Sequence, residues 1–260
     1  MAHLRCDFFS EALQLSTSMT VLLPQPSAAQ VGLTGQVRAT APPVLYLLHG
    51  LSDDDTAWTR YTSLERYAAE RGLAVVMPQV HRSFYADEAH GGRFWTFLAD
   101  ELPGVVSSFF RVSPHRADTF VAGLSMGGYG ALKWALRRPE RFAAAASLSG
   151  ALDLARRQAH DRRPHIVEVM DRVFAGRDVS GGDDDLMHLI ETADVAALPA
   201  LSILCGTGDE LYADNERFRD ACLRRGAGLH VDFGPGEHRW DYWDAAIQRV
   251  IDRLPLDPGS

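Results

Sequence analysis

The sequence predicts an α/β fold: a mainly parallel central sheet with helices on both faces and a small helical cap insertion. Two patterns carry that prediction. Short apolar runs rich in Val, Leu and Ala, each closed by Gly, Pro or Asp, recur along the chain, and segments of helical periodicity lie between them. With 260 residues and 46% hydrophobic content, the chain can bury a large core and still form one domain, so residues 1–260 are expected to be a single unit.

The apolar runs are 44–48, 74–77, 119–122, 143–148 and 201–205, and none of them alternates polar with apolar residues, as expected of strands covered on both faces. A further short strand is expected at 229–233. Helical spacing marks 64–71, 129–138, 216–225 and 242–254. Ahead of this rhythm, 19–23 and 36–39 are expected to form antiparallel edge strands joined by a surface loop over 24–35. The rhythm breaks again at 151–199, where helical stretches around 166–174 and 186–190 flank a Gly and Asp cluster at 181–185. This insertion is expected to cap the edge of the sheet that carries the site. No internal repeat or low-complexity segment is found.

Composition excludes several classes. Acidic residues number 34 against 26 basic, a formal charge of −8, which leaves no basic face for nucleic acid. Cys6, Cys205 and Cys222 are widely spaced and form no CxxC or Cys/His cluster, so neither a disulfide framework nor a metal site is expected. No segment approaches 18 apolar residues, and residues 1–15 lack the unbroken apolar stretch of a signal peptide. The expectation is a soluble cytoplasmic protein with no membrane partner. Lys133 is the only Lys and Asn215 the only Asn, which reads as a compositional bias with no role attached.

Gly123-Leu124-Ser125-Met126-Gly127 matches G-x-S-x-G, and its setting gives the match weight: the apolar strand 119–124 precedes it and the helical run 128–138 follows. A nucleophile on so sharp a turn needs a strained backbone, and side chains two residues before and after would collide with strand and helix. A helix beginning behind the serine also aims N–H groups and a partial positive charge at a developing oxyanion. The alternative, that Ser125 only caps a helix, weakens once partners are found.

In the α/β-hydrolase fold those partners follow in the order Ser, Asp or Glu, His. The strand 201–205 runs into Gly206-Thr207-Gly208-Asp209-Glu210, and 229–233 into Gly234-Pro235-Gly236-Glu237-His238. Asp209 is preferred to Glu210, which should face the next turn. His238 is singled out from ten histidines as the general base, with Asp209 fixing its tautomer. The strand ending in His49-Gly50-Leu51 is assigned the rest of the oxyanion hole, formed by the backbone N–H groups of Leu51 and Met126. Trp58, Tyr85, Phe94 and Trp95 lie near loops; Trp58, Tyr85 and Trp95 are taken as candidate pocket residues, with core packing as the alternative.

With these residues in place, the chain resembles the tributyrin esterase family of short-chain carboxylesterases, relatives of S-formylglutathione hydrolase (esterase D). The resemblance rests on Asp7-Phe8-Phe9-Ser10-Glu11-Ala12-Leu13, Leu47-Leu48-His49-Gly50-Leu51 with Trp58, Ser83-Phe84-Tyr85 with Phe94-Trp95, and Gly123-Leu124-Ser125-Met126-Gly127-Gly128-Tyr129-Gly130-Ala131. Cys205-Gly206-Thr207-Gly208-Asp209 and Gly236-Glu237-His238 with Trp240 and Trp243 complete it. It implies hydrolysis of short acyl esters by Ser125, Asp209 and His238 without metal or organic cofactor. Leu124 and Ser52-Asp53 stand where S-formylglutathione hydrolases usually carry His and Thr-Cys, which disfavours a glutathione thioester.

The sequence therefore leads to a serine carboxylesterase acting on small ester substrates, acetyl to butyryl, carbohydrate-linked esters included. S-formylglutathione hydrolysis and acyl transfer stay open, and a non-catalytic relative is disfavoured by the full triad. Whether the chain forms a homo-oligomer is open.

Overall fold

The computed structural model describes residues 1–256. Eight strands form one sheet: β1 (Ala2–Ser10), β2 (Leu15–Leu23), β3 (Val44–Leu48), β4 (Ala74–Pro78), β5 (Thr119–Leu124), β6 (Ala144–Leu148), β7 (Ala200–Gly206) and β8 (Leu229–Gly234). Their order is β1-β2-β4-β3-β5-β6-β7-β8; β3 to β8 run parallel, and β1 and β2 join antiparallel at one edge. This is the α/β-hydrolase arrangement that the strand-helix alternation predicts.

The central strands are largely apolar because each has two faces to cover. In β3, Val44, Tyr46 and Leu48 face one core, while Leu45 and Leu47 face the other. The first core is closed by α5 (Met126–Arg137) and α9 (Tyr212–Arg225), through Tyr129, Trp134 and Phe218. The second is closed by α2 (Leu64–Glu70) and α10 (Trp240–Arg253), through Leu64, Ala68, Ile247 and Ile251. The remaining helices are α1 (Ala57–Tyr61), α3 (Phe94–Thr96), α4 (Leu102–Phe109), α6 (Leu154–His160), α7 (Pro164–Phe174) and α8 (Leu186–Thr192). A π-helical turn over Phe97–Glu101 joins α3 to α4.

Two expectations are corrected. Residues 36–39 form no strand; the Gln36 N–H bonds to the Ala69 carbonyl instead. The partner of β2 is β1, in register from Ala2↔Leu23 to Ser10↔Leu15. Half of β1 faces water, so it carries Arg5 and Asp7 among its apolar residues and lacks the all-apolar signature of the inner strands.

The insertion at 151–199 carries α6, α7 and α8 and lies over the end of the sheet where β5 and β7 stop. Its Gly and Asp cluster is tied down by a buried ion pair. Asp184 accepts from the Lys133 ammonium of α5 at 2.5 Å and from Arg177 at 2.8 Å, and the Tyr129 hydroxyl donates to the Asp184 carbonyl at 2.8 Å. Burial pushes the Asp184 carboxyl up, but Lys133 and Arg177 outweigh it and hold it below the ordinary carboxylate value. The single lysine is thus a fixed anchor for the insertion.

Candidate active site

At the end of β5 the chain turns on Ser125, whose φ of 54° and ψ of −117° lie outside the regions open to an ordinary L-residue. Three backbone bonds hold the turn: the Ser125 N–H donates to the Leu148 carbonyl, and the Ser125 carbonyl accepts from Tyr129 and Ala151, while α5 begins at Met126. The flanking glycines are required for space. A Cβ on Gly123 would stand 2.3 Å from the Gly127 carbonyl oxygen, and one on Gly127 would stand 2.4 Å from that of Leu48. The Ser125 hydroxyl makes no capping bond to α5. It lies 3.1 Å from the Nε2 of His238.

The loops after β7 and β8 pack face to face. Thr207 and Gly208 donate N–H groups to the Gly234 and Gly236 carbonyls, and a Cβ on Gly206 would lie 2.3 Å from the Gly236 backbone. This contact brings Asp209 to His238: the carboxylate oxygens stand 3.0 and 2.9 Å from Nδ1. With the Nδ1 proton directed at a carboxylate, the Nε2 lone pair faces Ser125. Burial acts to raise the Asp209 carboxyl. The bonds from His238, the Leu211 N–H and Ser149 outweigh it, so the group is held below its ordinary value and stays ionised. Glu210, by contrast, is exposed and pairs with Arg163 at 3.1 Å. The His238 ring stands edge-on to Trp243, centroids 4.8 Å apart, and Trp243 Nε1 donates to Ser149 Oγ.

Ser125 and His238 open into a cavity of about 690 Å³. Leu51 and Met126 line it. Met126 is the first residue of α5, so its N–H has no acceptor within the helix. Phe84, Leu124, Ile166, Leu211, Trp240 and Trp243 supply apolar wall, and Asp53, Arg157 and Arg163 supply charge. Among the described residues no group of His, Cys, Asp and Glu is arranged to hold a metal ion, and no helix is long and apolar enough to cross a membrane.

The three pocket candidates do not line the cavity. Trp58 is fully buried, donates Nε1–H to the Leu48 carbonyl and packs edge-on behind Trp240. Tyr85 is buried with its hydroxyl on the His49 carbonyl. Trp95 lies under the Arg137 guanidinium, 4.0 Å from its ring centroid, and near Lys133. Phe94 is likewise buried in the core. The cavity's aromatic wall is Phe84, Trp240 and Trp243 instead. Trp240, Trp243 and Phe84 belong to the residues on which the family resemblance rests but were not among the pocket candidates; Phe84 sits beside Tyr85 and lines the cavity where both residues take a left-handed backbone, φ 48° and 50°.

Comparison with known proteins places this geometry among ester hydrolases. Residues 10–254 match the family model described as "Putative esterase". The chain is 34% identical to the fluorophosphonate-binding serine hydrolase F of Staphylococcus aureus, with a TM-score of 0.88, covering 98% of this chain and 99% of that one. It is also 34% identical to an S-formylglutathione hydrolase of Staphylococcus aureus, with a TM-score of 0.84 and 98% of both chains covered. An acetyl esterase of Caldicellulosiruptor saccharolyticus is 26% identical over 264 residues, 97% of each chain.

Proposed function

Because the chain belongs to the Esterase family and is a serine carboxylesterase, we propose that Ser125, Asp209 and His238 hydrolyse short acyl esters, acetyl to butyryl, through an acyl-enzyme. The observation that carries this reading is the continuous hydrogen-bonded path from Ser125 Oγ to His238 Nε2, 3.1 Å, and from Nδ1 to the Asp209 carboxylate, 2.9 Å.

In this mechanism Ser125 Oγ attacks the ester carbonyl while His238 Nε2 takes its proton. Asp209 stabilises the imidazolium. The Leu51 and Met126 N–H groups receive the oxyanion, each contributing about 2.7–4 kcal/mol to the transition state. The imidazolium then protonates the departing alcohol. In the second half-reaction His238 takes a proton from water, whose oxygen attacks the acyl carbon, and returns it to Ser125 Oγ as the acid leaves. Ile166 from the insertion lines the same cavity as Ser125, which supports a site suited to short acyl groups. We read the chain as one domain with 151–199 as its cap, and its three free cysteines suit a reducing cytoplasm.

Ser125→Ala should abolish both hydrolysis of p-nitrophenyl butyrate and labelling by a fluorophosphonate while leaving the melting temperature intact; near-wild-type turnover would reject the assignment. Decanoate turned over faster than butyrate would reject the acyl-length reading. A second reading, S-formylglutathione hydrolysis, is supported by the similarity to the staphylococcal enzyme of that name. Leu124 and Ser52-Asp53 count against it, and direct assay with the thioester separates the two.

A further inference from the structure

His49 stands outside the triad, is 1% exposed and makes bonds with both ring nitrogens. The Val80 N–H, which can only donate, lies 3.2 Å from Nε2, so Nε2 is an acceptor. The proton of the neutral ring is therefore on Nδ1, 2.8 Å from the carbonyl oxygen of Gly50. Burial pushes His49 below its ordinary value, which keeps the ring neutral and this tautomer in place.

The Gly50 carbonyl shares a peptide unit with the Leu51 N–H. In a trans peptide the two point in opposite directions, so clamping the carbonyl toward the interior turns the N–H toward the cavity. The preceding peptide is held as well. The Tyr85 hydroxyl donates to the His49 carbonyl at 2.8 Å, and the Asp53 carboxylate faces the Gly50 N–H. Of the four polar atoms in these two successive peptides, three have partners in the protein, and the fourth is the Leu51 N–H at the cavity wall. Tyr85 is itself fixed: its carbonyl accepts from Lys133 Nζ at 2.7 Å, and its ring fills the space a side chain on Gly130 would need. Through Lys133 and Asp184 the same chain of contacts reaches the cap.

We infer that His49, held as the Nδ1–H tautomer, is a positioning residue that aims the Leu51 amide at the oxyanion, with Tyr85 as its support. This rests on the catalytic reading above, since it presumes that Leu51 serves the oxyanion. The side chain touches no reacting atom. Its contribution falls on the transition state and not on ground-state binding, because an ester carbonyl calls for the donor far less than an oxyanion does.

Two isosteres separate positioning from packing. Asn places an amide N–H where Nδ1 sits, whereas Gln places its polar group where Nε2 sits. With p-nitrophenyl acetate, His49→Gln should lower kcat roughly 10- to 100-fold, as expected for a misaimed donor, and change KM by less than about twofold. His49→Asn should keep kcat within about threefold of the native enzyme. Tyr85→Phe, which removes only the hydroxyl, should also lower kcat at constant KM. Equal turnover in the Asn and Gln variants, or losses confined to KM, would overturn the inference. Should neither His49 variant fold, ¹⁵N NMR of the native protein decides: ring shifts showing protonated Nδ1 and bare Nε2 support it, and the opposite tautomer overturns it. Ser125→Ala separates the two levels. If that variant remains active, the catalytic reading fails; if it is dead while His49→Gln turns over normally, only the role of His49 fails.

Discussion

Gly127→Ala tests the elbow at its tightest point. In an ordinary helix this change stabilises by about 1 kcal/mol, since alanine loses less entropy. Here the new methyl would sit 2.4 Å from the Leu48 carbonyl oxygen and 2.7 Å from that of His49. Opening the first contact to the 3.0–3.4 Å that real methyls tolerate moves α5 away from β3 by about 0.6 to 1 Å. Both obstructing atoms are backbone, one at the end of the central strand β3 and one in the residue that follows it, so no side chain can swing aside. Overpacking of this kind costs about 1–3 kcal/mol, and the rigid contact places it at the upper end. The net destabilisation is then about 2 kcal/mol, a fall in melting temperature of roughly 4–8 °C. The catalytic effect should be larger. The displaced segments carry Met126 on one side and Gly50-Leu51 on the other, so the two proposed oxyanion donors separate, and a misplacement near 1 Å costs on the order of 100-fold in rate. Thermal melting and kcat on p-nitrophenyl acetate measure the two effects. A variant that melts at or above the native temperature with kcat within about twofold would refute the steric argument.

Other consequences are open to direct measurement. Lys133→Met leaves Asp184 buried with only Arg177, and removal of one partner from a buried pair should cost about 3 kcal/mol in denaturant unfolding, part of it recovered by adding Asp184→Leu; an unchanged midpoint contradicts the anchor. Asp161 is lowered to about 2 by its hydrogen bond to Arg163, against an ordinary 3.8. A depressed acid stabilises the fold fully above 3.8 and loses that contribution as pH falls through about 2, so the melting difference between native and Asp161→Asn should be largest near pH 6 and shrink below pH 3.8. A difference that grows on acidification would reverse the sign. Because Asp209 stays ionised below the ordinary carboxylate range, the acid limb of kcat/KM should follow one proton and not two; a two-proton limb would show that the carboxylate titrates as well.

The inner sheet was legible because burial on both faces leaves a signature that needs no knowledge of the neighbours. The run 44–48 is β3 residue for residue, and 201–205 lies within β7. The loop ends that carry Ser125, Asp209 and His238 were legible for a related reason: each follows a short strand closed by glycine, although the strand before His238 is only half-buried, and the structure brings the three side chains into hydrogen-bond reach. What failed to show depended on partners distant in the chain. The exposed face of β1 disguised it, and the turn that brings the buried Phe84 to the cavity wall while Tyr85 stays behind it lies in two backbone angles that no composition reveals. Trp58 and Trp240 look alike in sequence, yet one stands behind the other in the cavity wall. Lys133 read as a compositional oddity because its meaning lies in Asp184, 51 residues away.

Ser125 and His238 are 113 residues apart, and the histidine follows β8, the strand at the far edge of the sheet and, of these eight, the one made last. Until that strand docks, the elbow presents only an unactivated alcohol, since a serine hydroxyl is a weak nucleophile without its base. A growing or clipped chain that stops short of residue 229 would therefore be chemically silent. Ester hydrolysis becomes a reporter of complete assembly: during refolding its recovery should trail that of the helical circular dichroism signal, because local helices form before long-range parallel pairing.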